Sequence, residues 1–240
     1  MNALADQIYL VTGASSGIGA AIARVLAARG ARLVLCGRDR ARLAGVAEEL
    51  RGVSPEVDVQ SADLEDEAAL RRLAARVLGT FGGVDGLVHS AAAFTRGPVA
   101  ELPVAELDAQ FRLNLRAPYL LTQMLLPSIL ARRGQIVFVN STTGKVTRAG
   151  VSAYAASKFG LRAFADCLRE EVAREGVRVL SIYPGRTATP MQELVCRLEG
   201  IPYLPEKLLQ APDVAALVVA ALALPRSAEV TEIDVRQSLA

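Results

Sequence analysis

The sequence predicts an α/β protein: a doubly wound parallel sheet of about seven strands flanked by helices on both faces. Three observations carry this expectation. Short continuous apolar runs, such as Ile8 to Val11 and Arg32 to Cys36, read as strands buried on both sides. Each is followed by a helical pattern or a crossover, which dictates parallel pairing. The first run passes directly into a glycine turn, Thr12-Gly13-Ala14-Ser15-Ser16-Gly17-Ile18-Gly19, that opens a helix.

A chain of 240 residues is long enough for one large domain with a sizeable core, and no Pro/Gly/Ser-rich stretch or charge block marks a second. One domain over residues 1–240 is expected. Its 27 Lys+Arg and 25 Asp+Glu are interspersed and leave a net charge of +2, which argues against nucleic acid or a membrane surface as partner. A small molecule is expected instead. Cys36, Cys167 and Cys196 are far apart and odd in number, fit neither a disulfide framework nor a zinc site, and suit a reducing compartment; no metal is called for. The N-terminus lacks a signal-peptide pattern, and the most apolar stretch, Ala215 to Leu224, is too short to span a bilayer. The expected setting is the cytoplasm.

After the glycine turn, Ala20 to Arg29 are strong helix formers on an apolar stripe ending at Gly30. Glycines let the backbone approach a pyrophosphate, and free amides at the helix start attract the anion. Gly13, Ser15, Ser16, Gly17, Ile18 and Gly19 therefore form a candidate phosphate cradle, with a merely structural turn as the alternative. At the end of the second strand an NAD site would place a carboxylate for the adenosine ribose, but Cys36 and Gly37 stand there. Arg38 follows, and its guanidinium can pair with the extra phosphate of NADP, helped by Ser15 or Ser16. The other reading makes Arg38 a solvated turn residue before a helix capped by Asp39.

Glu56 to Gln60 alternates like a third strand, and Asp63 can reach an adenine, cap the helix from Glu65 to about Leu78, or do both. Val84 to His89 is a fourth strand leading into Ser90-Ala91-Ala92-Ala93, with His89, the only histidine, as hydrogen-bonded scaffolding. A long helical pattern then runs from Val104 to Ala131 with Pro118 inside it. Proline offers no amide to the carbonyl four residues back, that of Asn114, so the helix is expected to kink and free that oxygen for a water, or to split in two.

Gly134 to Asn140 is a fifth strand that delivers Ser141 to the same sheet edge as the glycine turn, where it can donate to a substrate oxygen. Ser152 to Gly160 opens a helix that stacks Tyr154 and Lys158, four apart, on one face. Lowering a phenol from about 10 to about 7 needs roughly 4 kcal/mol. A cation at about 4 Å and an effective dielectric of about 20 supplies roughly that much. The pair can make an acid/base catalyst; an ordinary exposed helix pair is the alternative.

Taken together, T-G-x-x-x-G-x-G, an Asn in a helix, a Ser after a strand and Y-x-x-x-K resemble the classical short-chain dehydrogenase/reductase family over nearly the whole chain. The resemblance implies a Rossmann-type sheet and a catalytic tetrad of Asn114, Ser141, Tyr154 and Lys158. It also implies nicotinamide cofactor binding through the glycine turn and Asp63, with Lys158 on the nicotinamide ribose and Asn114 positioning a water. After a sixth strand, Val177 to Ile182, the segment from Tyr183 to Met191 is similar to the family's P-G-x-x-x-T, which places Pro184, Gly185, Thr187 and Thr189 beside the nicotinamide. Two departures stand out. His89-Ser90-Ala91-Ala92 replaces the family's N-N-A-G, where Ser90 can still donate a hydrogen bond but Ala92 adds a methyl. The last strand, Glu229 to Arg236, lacks a glycine-rich ending.

The function implied is an NADP-dependent oxidoreductase, with NAD the less expected cofactor, interconverting a carbonyl compound and an alcohol with Tyr154 as general acid/base. The alternative is a non-catalytic dinucleotide-binding regulator on the same fold. A phosphate-loop hydrolase is disfavoured because the turn lacks a Gly-Lys-Ser/Thr ending. Residues at about 187–210, rich in Met191, Leu194, Val195, Leu198, Ile201, Tyr203 and Leu204, are expected to form a mobile cover over the substrate or to pack against the body. Ala155 and Ala163 on the Tyr154 helix, with the resemblance, point to a homodimer or homotetramer.

Overall fold

The computed structural model describes residues 3–238. Strands β1 (Ile8–Thr12), β2 (Arg32–Gly37), β3 (Val57–Ser61), β4 (Gly86–His89), β5 (Gln135–Val139), β6 (Arg178–Pro184) and β9 (Glu232–Val235) form one parallel sheet. A separate parallel ladder joins β7 (Thr187–Ala188) to β8 (Leu209–Gln210). The order in the large sheet is β3-β2-β1-β4-β5-β6-β9, so the chain reverses direction between β1 and β4. That reversal opens a crevice at the carboxyl ends of the two strands.

The apolar runs are explained by burial on both faces. Tyr9 and Val11 enter one core with helices α1 (Gly17–Ala28), α2 (Arg40–Leu50) and α8 (Ala211–Leu222), while Ile8 and Leu10 enter the other. The second core is closed by α3 (Glu67–Phe81), α5 (Ala117–Ala131) and α6 (Ser152–Val172). Among the described residues no helix is long and apolar enough to cross a membrane.

Several boundaries differ from the sequence reading. Helix α1 begins at Gly17 rather than Ala20, because Ser16 is extended and the chain turns through Gly17 at φ +56. Asp63 does not cap α3: Asp66 does, accepting from the amide of Ala68, while Asp63 accepts from the amide of Glu65 in the preceding turn. The last strand is shorter than expected, Glu232–Val235, and pairs with β6 alone.

The long helical pattern is neither split nor simply kinked. Between α4 (Val104–Phe111) and α5 the chain makes a wide turn over Arg112–Arg116, in which the amide of Ala117 bonds to the carbonyl of Arg112, five residues back. The contrast with Pro127, which sits inside α5 without interrupting it, supplies the reason. Gln123, four residues before Pro127, lies on the exposed face where water can satisfy its carbonyl. Asn114, four before Pro118, is buried, so the backbone around it rearranges instead.

Candidate active site

A cleft of about 420 Å³ lies along the carboxyl ends of the sheet, and successive strands each deliver a wall of it. Gly13 follows β1, Arg38 follows β2, Ser90 follows β4, Asn140 and Ser141 follow β5, and Gly185 follows β6. Of the residues singled out in the sequence, Gly13, Ser15, Ser16, Gly17, Ile18, Arg38 and Ser90 line one part of it. Ser141, Tyr154, Lys158, Pro184, Gly185, Thr187 and Thr189 line the rest. Gly19, Asp63 and Asn114 do not reach the wall.

The glycine turn fits an anion. Gly13 has φ +67, and a Cβ on it would come within 2.7 Å of the Ala91 amide nitrogen, so the turn and the loop after β4 approach as only a bare backbone can. Gly19 lies under the turn, where a Cβ would meet the Gly13 carbonyl oxygen at 2.4 Å. The start of α1 therefore packs tightly beneath the turn with its first amides facing the cleft. Thr12 completes the arrangement, its hydroxyl accepting from the amides of Ser90 (3.1 Å) and Ala91 (3.4 Å).

At the far end, Arg38 is 64% exposed along its side chain and 3.8 Å from Glu65. Glu65 is also paired with Arg112 at 3.3 Å, so it keeps a partner if Arg38 turns to another anion. Asp39 caps α2 by accepting from the amide of Arg42, as the sequence suggested, and its carboxylate also pairs with the Arg42 guanidinium at 3.2 Å. Gly37 puts no carboxylate in the cleft, and a Cβ there would stand 3.3 Å from the Ser15 hydroxyl, close enough that Ser15 would have to shift.

In the central part of the cleft, Tyr154 and Lys158 share one face of α6, as the four-residue spacing demands. Both are buried, Lys158 to 1% exposure, which removes the reading of an ordinary exposed pair. The Lys158 ammonium donates to the carbonyl of Val139 at 3.1 Å and lies 5.9 Å from the centre of the Tyr154 ring. Phe94 meets that ring edge-on at 5.0 Å.

Asn114 lies behind the cleft wall, between the loop after β4 and α6. Its side chain accepts from the amide of Ala93 (2.7 Å) and donates to the carbonyl of Ala93 (2.9 Å) and the hydroxyl of Ser157 (3.0 Å), which in turn donates to the Tyr154 carbonyl. It braces the loop after β4 against α6. Asn140, which the sequence reading passed over, does a matching job: its oxygen accepts from the Ser141 amide and its nitrogen donates to the Lys158 carbonyl. A lone amide side chain ending an apolar strand was the signal available. Thr187 and Thr189 reach the wall, but their hydroxyls donate to the carbonyls of Gly185 and Thr187, and Thr189 caps α7 (Pro190–Glu199).

With this geometry in view, comparison with known proteins is decisive: the short chain dehydrogenase family profile matches residues 7–197. The chain belongs to the short-chain dehydrogenase family. Dehydrogenase/reductase SDR family member 7B of Danio rerio is 39% identical over 195 residues, 78% of this chain but only 62% of the fish protein. An uncharacterised oxidoreductase of Staphylococcus epidermidis is 33% identical over 232 residues, 96% of this chain and 97% of that protein. The crystal structure of a metagenomic short-chain oxidoreductase in complex with NADP matches with a TM-score of 0.86 at 34% identity, covering 99% of this chain and all of the other (100%).

In this short-chain dehydrogenase the electrostatics of the pair depart from the sequence argument. Burial pushes the Tyr154 phenol up to about 12, opposed by a hydrogen bond from the Ser141 side chain, and burial pulls Lys158 down to about 8. A phenol lowered to about 7 would need an ammonium beside its hydroxyl in a partly solvated site. Here desolvation outweighs attraction, and the ammonium is turned toward Val139. His89 takes the scaffolding role expected of it, with Nε2 2.9 Å from the Thr122 hydroxyl, its ring stacked on Phe138, and its pKa pulled to about 3 by burial.

The segment over 187–210 divides its apolar side chains between solvent and the cleft. Leu194, Leu198, Ile201 and Leu204 are partly exposed and do not reach the cleft wall. The cleft is faced instead by Met191, Val195 and Glu199, spaced four apart along α7. The β7–β8 ladder ties the two ends of the segment together, a pairing too short to leave a pattern in the sequence.

Proposed function

We propose that this short-chain dehydrogenase is an NADP-dependent oxidoreductase that interconverts a carbonyl compound and an alcohol. The observation that carries the reading is the convergence of Ser141, Tyr154 and Lys158 with the glycine turn and Arg38 on one cleft. Gly13, Gly17 and the first amides of α1 would hold the pyrophosphate, and Lys158 the nicotinamide ribose. Ser90, Pro184, Gly185, Thr187 and Thr189 would border the nicotinamide, while Ala62 and Leu64, which flank Asp63 and reach the wall, would meet the adenine. The bound nicotinamide supplies the hydride. Ser141 would hydrogen-bond the carbonyl oxygen and Tyr154 would donate the proton. Burial that keeps the phenol protonated across the neutral range suits it to that role. Asn114 would act as a positioning residue through its bonds to Ala93 and Ser157, and its backbone oxygen, beside the wide turn, as the anchor of a water.

The proposal extends to one catalytic domain, working in the cytoplasm as a homodimer or homotetramer, with 187–210 as the substrate-covering segment. Ala163 is exposed and available to a partner subunit, whereas Ala155 is buried within its own chain. A screen of aldehydes and ketones with purified protein, following NADPH absorbance, tests the activity. Turnover of none of them, with NADPH bound, would favour a non-catalytic regulator.

Arg38 is the proposed reason for NADP preference, in line with the NADP held by the metagenomic relative. A charge-assisted bond to the 2′-phosphate is worth about 1.5 to 3 kcal/mol, so Arg38→Ala is expected to remove a preference of about tenfold to hundredfold over NAD. Affinities of parent and variant for both cofactors decide it. An NADP preference that survives the substitution takes Arg38 out of the site.

Gly19→Ala is expected to weaken cofactor binding by about tenfold or more, because its methyl would press on the Gly13 carbonyl and deform the cradle. Gly45→Ala, in exposed α2 with nothing within 4 Å of its new methyl, serves as the control. It should leave binding unchanged and raise stability by about 0.5–1 kcal/mol. Fluorescence titration of NADPH and thermal melts read both outcomes.

A further inference from the structure

The part of the cleft bordered by α7 carries a charge pattern that the carbonyl-reductase reading does not use. Glu199, only 14% exposed, receives two guanidinium groups: Arg186 at 2.6 Å from the turn after β6, and Arg96 at 3.2 Å from the loop after β4. One carboxylate thus satisfies two cations and holds three chain segments together. Arg148 belongs to the same rim, because its loop is bonded to the Arg96 loop through the Gly97 amide and the Gly150 carbonyl at 2.9 Å. Arg148 lines the cleft, is exposed, and has no ion pair or hydrogen bond among the described residues.

Counting the charges decides the sign. Arg96 and Arg186 already share the one carboxylate of Glu199, Arg148 adds a third guanidinium to the rim, and the other acidic side chain on the cleft wall, Asp39, is committed to capping α2. The wall of the cleft that holds Arg148 and Tyr154 also includes the apolar side chains of Phe94, Val151, Met191 and Val195. A neutral apolar substrate would use those walls but leave the rim cation idle. A substrate with an apolar body and an anionic end would use both.

We propose that this enzyme's carbonyl substrate bears a carboxylate, and that Arg148 is the specificity-determining residue that binds it while the carbonyl lies at Ser141 and Tyr154. The inference deepens the proposed oxidoreductase reading and rests on it. Arg148 suits the task because its planar fork matches a carboxylate in two bonds and because Glu199 leaves it unpaired. As the guanidinium is exposed, the preference should sit near the lower end of charge-assisted bonds, about tenfold, and shrink as salt is raised.

The test compares 4-carboxybenzaldehyde with its methyl ester as substrates of the purified protein with NADPH. In the parent, kcat/KM is expected to favour the acid by about tenfold at low salt. Arg148→Ala should abolish that preference chiefly through KM for the acid, leave the ester unchanged, and leave the melting temperature unchanged. Arg148→Lys should restore part of it, and Arg148→Glu should reverse it. Equal use of both aldehydes by the parent, or variants that depress both alike, would overturn the assignment of Arg148. If neither aldehyde is consumed, the oxidoreductase reading suffers first, and calorimetric titration of benzoate into the NADPH-loaded protein then judges the rim by itself. Binding that Arg148→Ala removes upholds the anion site, and absence of binding to the parent overturns it.

Discussion

Tyr154→Phe is expected to lower kcat by about 10³-fold or more while leaving NADPH affinity within a few-fold. The substitution deletes the one atom that would carry the proton and keeps the ring. That ring is 7% exposed and packed edge-on against Phe94, so its removal from the core is not at issue and the fold should persist. A merely structural tyrosine predicts the opposite pattern, with altered stability and normal turnover. Stopped-flow hydride transfer and equilibrium cofactor titration on the same preparation separate the two. Residual turnover above about a tenth of the parent rate, far more than loss of a general acid allows, would remove Tyr154 from the role of proton donor.

Lys158→Met is expected to abolish activity and at the same time raise the stability of the protein at neutral pH. Burial draws the ammonium from 10.5 to about 8, a shift that corresponds to roughly 3 kcal/mol of penalty on the charged form. Against that, the variant leaves the Val139 carbonyl without its donor, a loss of about 1 kcal/mol. The net expected gain is roughly 2 kcal/mol, or several degrees in Tm for a chain of this length. The pH dependence has a definite sign. Below pH 8 lysine is charged in both folded and unfolded chains and the penalty is present in full. Between about 8 and 10.5 the unfolded chain binds more protons than the folded one, so the parent gains stability as pH rises and the gap to the variant closes. Thermal melts of both proteins from pH 7 to 10.5 measure this. A parent more stable than Lys158→Met at pH 7 would show that the buried ammonium is held by more than the Val139 carbonyl.

The trade between stability and function in that pair has a parallel in the cradle. Gly13 and Gly17 adopt positive φ, and Gly19 permits a contact that any side chain would block, all in the segment expected to face the cofactor. Conformational freedom is surrendered there for close backbone approach to a phosphate.

The main strands and helices were legible in the chain, though not the cap of α3 or the short β7–β8 pairing. Apolar runs buried on both faces specified the strands, the alternation with helices specified parallel pairing, and the four-residue spacing put Tyr154 above Lys158 on α6. Pro118 marked the irregular turn around Asn114, because a missing amide is a property of one residue and its neighbour four back. What depended on segments distant in sequence was not legible. Period and spacing carry no information on what Asn114 and Asn140 bond to, and the Glu199 bridge joins positions 96, 186 and 199 only once the fold has brought three segments together. The pKa shifts of Tyr154 and Lys158 belong to the same class. Desolvation sums over every atom packed around a group, and those atoms include Val139 of β5, Asn140 after it and Phe94 after β4, so the sign of the effect was decided by the tertiary structure and not by the motif.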